Sequence, residues 1–217
     1  MRKTALFFDF DNTLTTGDVL DGIIETFSPD EAWRDWEKAW AAGRLPARDC
    51  LRLQVENLRV TRDDLFAHLL QVRIDPVFAE IVRWARHRGL QVTIVSDSFL
   101  PLIQHMLRNN GIEGVPIFAN DLEFSADRLL PGFPYYDPAF PLSANAKARH
   151  LAAYRDCTVI FAGDGRSDLD AALVADVVFA KSTLARELDA RAVPYLMFDT
   201  LATILAHLET AAGTHDA

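Results

Sequence analysis

Cysteine is scarce in this sequence. Only Cys50 and Cys157 occur, far apart and in no metal-type pair. There is thus neither a disulfide framework nor a cysteine cluster, and both read as buried thiols in a reducing compartment. Long hydrophobic runs are missing too. Behind Met1-Arg2-Lys3 only a short apolar stretch, residues 5–8, precedes Asp9, too little for the apolar core of a signal peptide. No uninterrupted apolar run is long enough to span a bilayer, and the sequence predicts a cytoplasmic protein without a membrane partner. Basic charge is in deficit, with 22 Lys+Arg against 31 Asp+Glu and a formal net charge of −9. That balance argues against nucleic acid as a partner, because nucleic-acid faces neutralise phosphates with clustered Lys and Arg. An anionic ligand must be held locally, by a few placed groups.

What is present is globular. Half of the 217 residues are hydrophobic and 24% are charged, which suits one large domain or one domain with a smaller insertion, as a monomer or a homodimer. Ala5-Leu6-Phe7-Phe8 reads as a strand apolar on both faces, as buried parallel strands are. Similar runs at 91–95 and 158–162 end in polar clusters, Ser96-Asp97-Ser98 and Gly163-Asp164-Gly165. Weaker strand candidates lie at 116–119, 176–180 and 195–198. Helical patterns fall between them at 101–110, 146–154, 169–175, 184–190 and 201–210. Strands alternating with helices predict an α/β fold, a Rossmann-like parallel sheet with helices on both faces.

Residues 17–88 break the alternation, with helix signals and no convincing strand. Ser28-Pro29-Asp30-Glu31 predicts a helix start with a capping box. Thr61 with Asp64, and Asp75 with Pro76, mark two more starts, and Gly89 suits the position after a helix end. The expectation is an all-helical insertion at 17–88 and a core built from 1–16 and 89–217.

In an open parallel sheet, ligands bind beyond the carboxyl ends of the strands. Four clusters meet that condition: Asp9-Phe10-Asp11-Asn12-Thr13, Ser96 with Asp97, Lys147 near a helix start, and Gly163-Asp164-Gly165-Arg166-Ser167-Asp168. Carboxylates gathered beside a phosphate call for a hard cation between them, and Mg²⁺ prefers such oxygen ligands.

These four motifs, in this order, resemble those of the haloacid dehalogenase superfamily of phosphatases. The resemblance covers nearly the whole chain and points to the branch with a helical cap after the first strand, which includes phosphoserine phosphatase and the methionine-salvage phosphatase. The segment Asn120-Asp121-Leu122-Glu123-Phe124 and the tail from Ala175-Asp176 through Pro194-Tyr195 to Phe198 are closer to the methionine-salvage pattern. The resemblance implies Asp9 as nucleophile and Asp11 as general acid and base. It implies Mg²⁺ on the carboxylates of Asp9 and Asp164 and the backbone carbonyl of Asp11, with Asp168 behind them. Ser96 and Lys147 would bond the transferring oxygens, and Asp18, Thr13 and Asp97 would contact a small phosphorylated metabolite.

Two departures from the salvage pattern lie near the mouth of this site. The segment before the lysine, residues 131–138, holds no cysteine, and Ser96 is followed by Asp97 and Ser98 where glycines are usual. Fold and motif fix the reaction better than the leaving group. Asp18 reads equally as a substrate contact and as the cap of the next helix. Arg44, Arg48, Arg52 and Arg59 read as a solvated stripe or as an anion site. Trp33, Trp36 and Trp40 read as cap core or a dimer contact more than as a substrate box. Two other functions stay open here, a phosphate-sensing module phosphorylated at Asp9 and a phosphotransferase.

Overall fold

A computed structural model describes residues 2–125 and 128–213. Its centre is a seven-stranded sheet of β1 (Lys3–Phe8), β2 (Gln91–Phe99), β3 (Ile117–Phe124), β4 (Leu129–Gly132), β5 (Cys157–Gly163), β6 (Val177–Ala180) and β7 (Leu196–Met197). The order is β4-β3-β2-β1-β5-β6-β7, with β1 in the middle. All pairings are parallel except β3 with β4. The sheet is thus mostly parallel, as expected, and β4 adds an antiparallel edge strand that was not among the sequence's strand candidates. Its Leu-Leu-Pro-Gly sequence has no strand pattern, and an edge position tolerates a proline that cannot donate to a ladder.

Alternation along β1 feeds two cores. Leu6 and Phe8 join one cluster with Val92 and Ile94, while Ala5 and Phe7 join the other with Val95, Val159 and Phe161. Every one of these side chains is at most 7% exposed, so β1 is apolar on both faces as its sequence reads. The first polar residue after it, Asp9, therefore emerges at the carboxyl edge of the sheet's central strand.

Between β1 and β2 lie α1 (Val19–Phe27), α2 (Ala32–Ala41), α3 (Ala47–Asn57), α4 (Arg62–His68) and α5 (Val77–His87). The two linkers of this insertion run side by side: Thr15 bridges Ile74, the Thr16 N–H donates to the Arg73 carbonyl and the Asp75 N–H to the Leu14 carbonyl. Helix α5 packs on β2 and on the last helix, α10 (Leu201–Gly213). The remaining helices are α6 (Leu100–Asn109), α7 (Lys147–Ala152), α8 (Leu169–Ala172) and α9 (Ser182–Asp189). Thr61 caps α4 through its hydroxyl as expected. The capping box at Ser28 does not form. Ser28 ends α1, α2 starts only at Ala32, and Asp30 accepts the Ala32 N–H, because residues 28–31 form the turn between the two helices. Both cysteines are free, Cys50 buried and Cys157 half-buried. Among the described residues no helix is long and apolar enough to cross a membrane.

Candidate active site

Past β1 the chain turns sharply. Asn12 has φ +53°, a left-handed conformation that asparagine tolerates better than most residues. The turn places Asp9 at the strand edge and Asp11 beyond it. Asp9 is 6% exposed, and its Oδ1 accepts Lys147 Nζ at 2.8 Å. Burial first, and then the charge of Asp168, raises its carboxyl well above the usual carboxylate range, against the pull of Lys147. Asp11 is half-buried and accepts the Val19 N–H at 3.0 Å. Burial and then the Asp18 charge raise its carboxyl as well. A carboxyl whose proton affinity is raised by burial and by neighbouring acids is suited to protonating a leaving group.

The second contribution comes from β2. Its register with β3 slips between Val95 and Phe99, a bulge that re-aims side chains where pairing is interrupted. Ser96, 1% exposed, accepts the Ser98 N–H at 3.1 Å. Helix α6 is capped at Phe99, so Ser96 is not its N-cap. Asp97 turns to the loop before α7 and accepts Ser143 Oγ at 2.6 Å and the N–H groups of Ala144 and Asn145 at 3.0 Å. Its carboxylate is thus occupied in anchoring that loop.

Asn145 completes the anchor. Its amide donates to the carbonyls of Ser96 and Phe118 at 2.9 and 2.7 Å, and its oxygen lies 2.8 Å from His150 Nε2. Because both amide hydrogens are committed, the network assigns the hydrogen to His150 Nε2. The N-terminus of α7 is thereby clamped to β2 and β3, and it carries Lys147. Burial alone would push the Lys147 ammonium down, but Asp168, Asp9 and Asp97 outweigh it and hold it protonated. Its alternatives lie elsewhere: Lys181 sits over the Phe198 ring and Arg149 pairs with Asp137.

The fourth contribution follows β5. Asp168, fully buried, accepts Lys147 Nζ at 2.6 Å on one oxygen and the N–H groups of Asp164 and Gly165 at 3.0 and 2.9 Å on the other. Among the described residues the Asp164 carboxylate receives only a long bond from Thr13 Oγ1, at 3.4 Å. Burial and then the Asp168 charge raise its carboxyl to about 7. Carboxylate oxygens of Asp9, Asp164 and Asp168 all lie within 4.8 Å of one another. Among the described residues the second oxygen of Asp9 and the carboxylate of Asp164 lack a strong donor, whereas both oxygens of Asp168 are bonded. Buried, crowded, under-bonded carboxylates suit a hard divalent cation, so the donor set fits Mg²⁺ with Asp168 outside the coordinating group. The Asp11 carbonyl accepts the Thr13 N–H at 2.6 Å and keeps a second lone pair.

Asp9, Asp11, Asp18, Ser96, Asp97, Lys147 and Asp164 all line one cavity of about 180 Å³. Asp18 fills both of its readings, since it caps α1 through the Asp21 N–H, takes Asn12 Nδ2 on its other oxygen, and still faces the cavity. Thr13 stands behind Asp164. The arginine stripe lies off the cavity, with Arg48 and Arg52 paired to Asp49. The tryptophans divide: Trp33 is buried in the core, while Trp40 lines the cavity and donates its indole N–H to the Leu142 carbonyl. The sequence reading missed Glu37 and Gln54, which face the cavity, and Asn145, which positions α7. Two residues of separation from Lys147 was the available signal for Asn145, and helix phase alone gave none for the others.

A family model described as haloacid dehalogenase-like hydrolase matches residues 6–173. The chain is 27% identical over 216 residues to the 2-hydroxy-3-keto-5-methylthiopentenyl-1-phosphate phosphatase of Brevibacillus brevis, covering 96% of each chain. It is 25% identical over 176 residues to the phosphoserine phosphatase of Mus musculus, covering 79% of this chain and 78% of that one. A solved phospho-aspartyl intermediate analogue of phosphoserine phosphatase shares the fold with a TM-score of 0.74 at 21% identity, over 95% of this chain and 99% of the other. The chain belongs to the haloacid dehalogenase-like hydrolase family and sits within it among phosphatases.

Proposed function

We propose that this chain is a Mg²⁺-dependent phosphatase of a small phosphorylated metabolite, working through a phosphoryl group carried on Asp9. The observation that carries the reading is the convergence of Asp9, Asp11, Ser96, Lys147 and Asp164 on one cavity from separate elements. Mg²⁺ on the carboxylates of Asp9 and Asp164 and the carbonyl of Asp11 would neutralise phosphate charge and let an anion approach these acids. Lys147 and the Ser96 hydroxyl hold the non-bridging oxygens, and the Lys147 ammonium favours the ionised form of Asp9 that attacks phosphorus, against the burial that raises its carboxyl. Asp11, with its raised proton affinity, gives its proton to the departing alkoxide and then takes one from the water that cleaves the acyl phosphate. One hard displacement becomes two easier ones.

The helical insertion serves as the cap, expected over 17–88. We place its pivot at the paired linkers around Thr15 and Ile74, which leaves α5 against the core. The free thiols support a cytoplasmic setting. Phosphate release from a panel of small esters, with Mg²⁺ and with EDTA, tests the proposal. Turnover that EDTA abolishes and that Asp9→Asn lowers by at least about 10³-fold is the expected result. Undiminished turnover in Asp9→Asn would overturn it.

A further inference from the structure

Ser98 stands where the methionine-salvage pattern has glycine. It follows Ser96 by two residues on β2, and both serines, each 1% exposed, line the cavity. The Ser98 N–H is committed, donating to Ser96 Oγ at 3.1 Å. Its hydroxyl is free. Among the described residues Ser98 Oγ is buried and meets no partner with hydrogen-bond geometry. It does not cap α6 either, since no side chain bonds that helix's first turn. A buried hydroxyl without a partner is costly, and at the wall of a cavity the missing partner is a ligand atom.

Strand register locates that atom. Phe8 pairs with Ile94, so Asp9 and Ser96 stand near one level and Ser98 lies roughly 6–7 Å further along its strand. There it neighbours Asp11, whose proton affinity is raised chiefly by burial and lowered in part by the Ser98 hydroxyl. Attack on phosphorus is in line, with the leaving oxygen on the far side of phosphorus from the nucleophile. With Asp9 as nucleophile, the leaving oxygen therefore faces outward, at the level of Asp11 and Ser98.

We propose that Ser98 is a further catalytic residue, whose hydroxyl donates a hydrogen bond to the bridging ester oxygen as its bond to phosphorus breaks. This rests on the phosphatase reading and adds a residue to its first step. The electrons of the breaking bond stay with the leaving oxygen, and Asp11 supplies the proton that this oxygen finally carries. Ser98 keeps its own proton, and its O–H dipole meets the developing charge. The Ser98 N–H uses Ser96 Oγ as an acceptor and so leaves the Ser96 hydrogen for a phosphoryl oxygen. The two serines thus divide the ester, with Ser96 on the phosphoryl group and Ser98 on the leaving group.

Benzyl, phenyl and p-nitrophenyl phosphate, three aromatic esters with successively better leaving groups, test this in Ser98→Ala with Mg²⁺. We expect kcat/KM to fall by about tenfold or more for benzyl phosphate and by less than about threefold for p-nitrophenyl phosphate, with phenyl phosphate between. The loss on phenyl phosphate should persist when Ser98→Ala is combined with Asp11→Asn. Without ligand, Ser98→Ala should melt at or above the wild-type temperature, because it removes a buried hydroxyl that has no partner. An equal loss on all three esters would assign the hydroxyl to the phosphoryl oxygens. A loss that vanishes beside Asp11→Asn would make it a partner of Asp11, and a clearly lowered melting temperature would make it structural; each of these overturns the inference. If p-nitrophenyl phosphate is hydrolysed and Ser98→Ala turns over benzyl phosphate like the wild type, the inference falls and the phosphatase reading stands. If no ester releases phosphate, both fall.

Discussion

At Gly163 the site has no room for a methyl group. A Cβ there would lie 2.7 Å from Cγ and Oδ2 of Asp168 and 2.9 Å from the Phe161 ring. Asp168 cannot step aside, because its carboxylate is held by Lys147 and by the N–H groups of Asp164 and Gly165. Gly163→Ala should therefore cost about 1–3 kcal/mol of stability and lower turnover by at least about tenfold as Asp168 and Lys147 shift. Gly165→Ala is the control, since a Cβ there meets nothing closer than 3.6 Å. Thermal unfolding and phosphate release on both variants check this, and a wild-type Gly163→Ala would refute the packing argument. The acids at this scale were legible in the sequence because each follows a short apolar strand directly. Glu37, Trp40 and Gln54 were not, because a helix residue's role depends on which face meets the cavity, and that is set by tertiary packing.

Among the elements, α7 is short, and its position depends on what holds its first turn. Asp97, Ser143 and Asn145 hold it, and His150 closes the network against Asn145 while stacking on Phe118 with ring centroids 4.2 Å apart. An unfolded histidine titrates near about 6.5, whereas burial lowers His150 to about 4. Between those values the unfolded chain binds the extra proton. The contribution of His150 to stability is therefore present above about pH 6.5 and lost as pH falls through about 4. His150→Phe keeps a stacked ring without the proton, so its melting temperature should fall less than that of the wild type between neutral and acid pH. Parallel curves for the two proteins would show that His150 is not the titrating group. Helix starts resting on one local bond, such as Thr61 to Asp64, were readable in advance. The Ser28 box was not, because its residues are needed for the turn from α1 to α2. Strand β4 escaped notice because Leu129–Gly132 owes its pairing to β3 and not to its own pattern.

For the whole molecule, the sheet's two apolar faces and the insertion after β1 were legible from alternation and its interruption. The same architecture explains the site: strands buried on both faces can place polar groups only beyond their ends, so acids from β1 and β5, a hydroxyl from β2 and a lysine from α7 meet there. The most direct test of the account is a search for the phosphoryl group on Asp9. The Asp11→Asn variant would be mixed with Mg²⁺ and p-nitrophenyl phosphate, whose leaving group needs little acid assistance, then quenched in acid and mapped by peptide mass spectrometry. The account predicts one phosphoryl group on the peptide carrying Asp9, longer-lived than in the wild type and absent from Asp9→Asn. Phosphate release by Asp9→Asn at the wild-type rate, or turnover by Asp11→Asn with no adduct at any quench time, would contradict it.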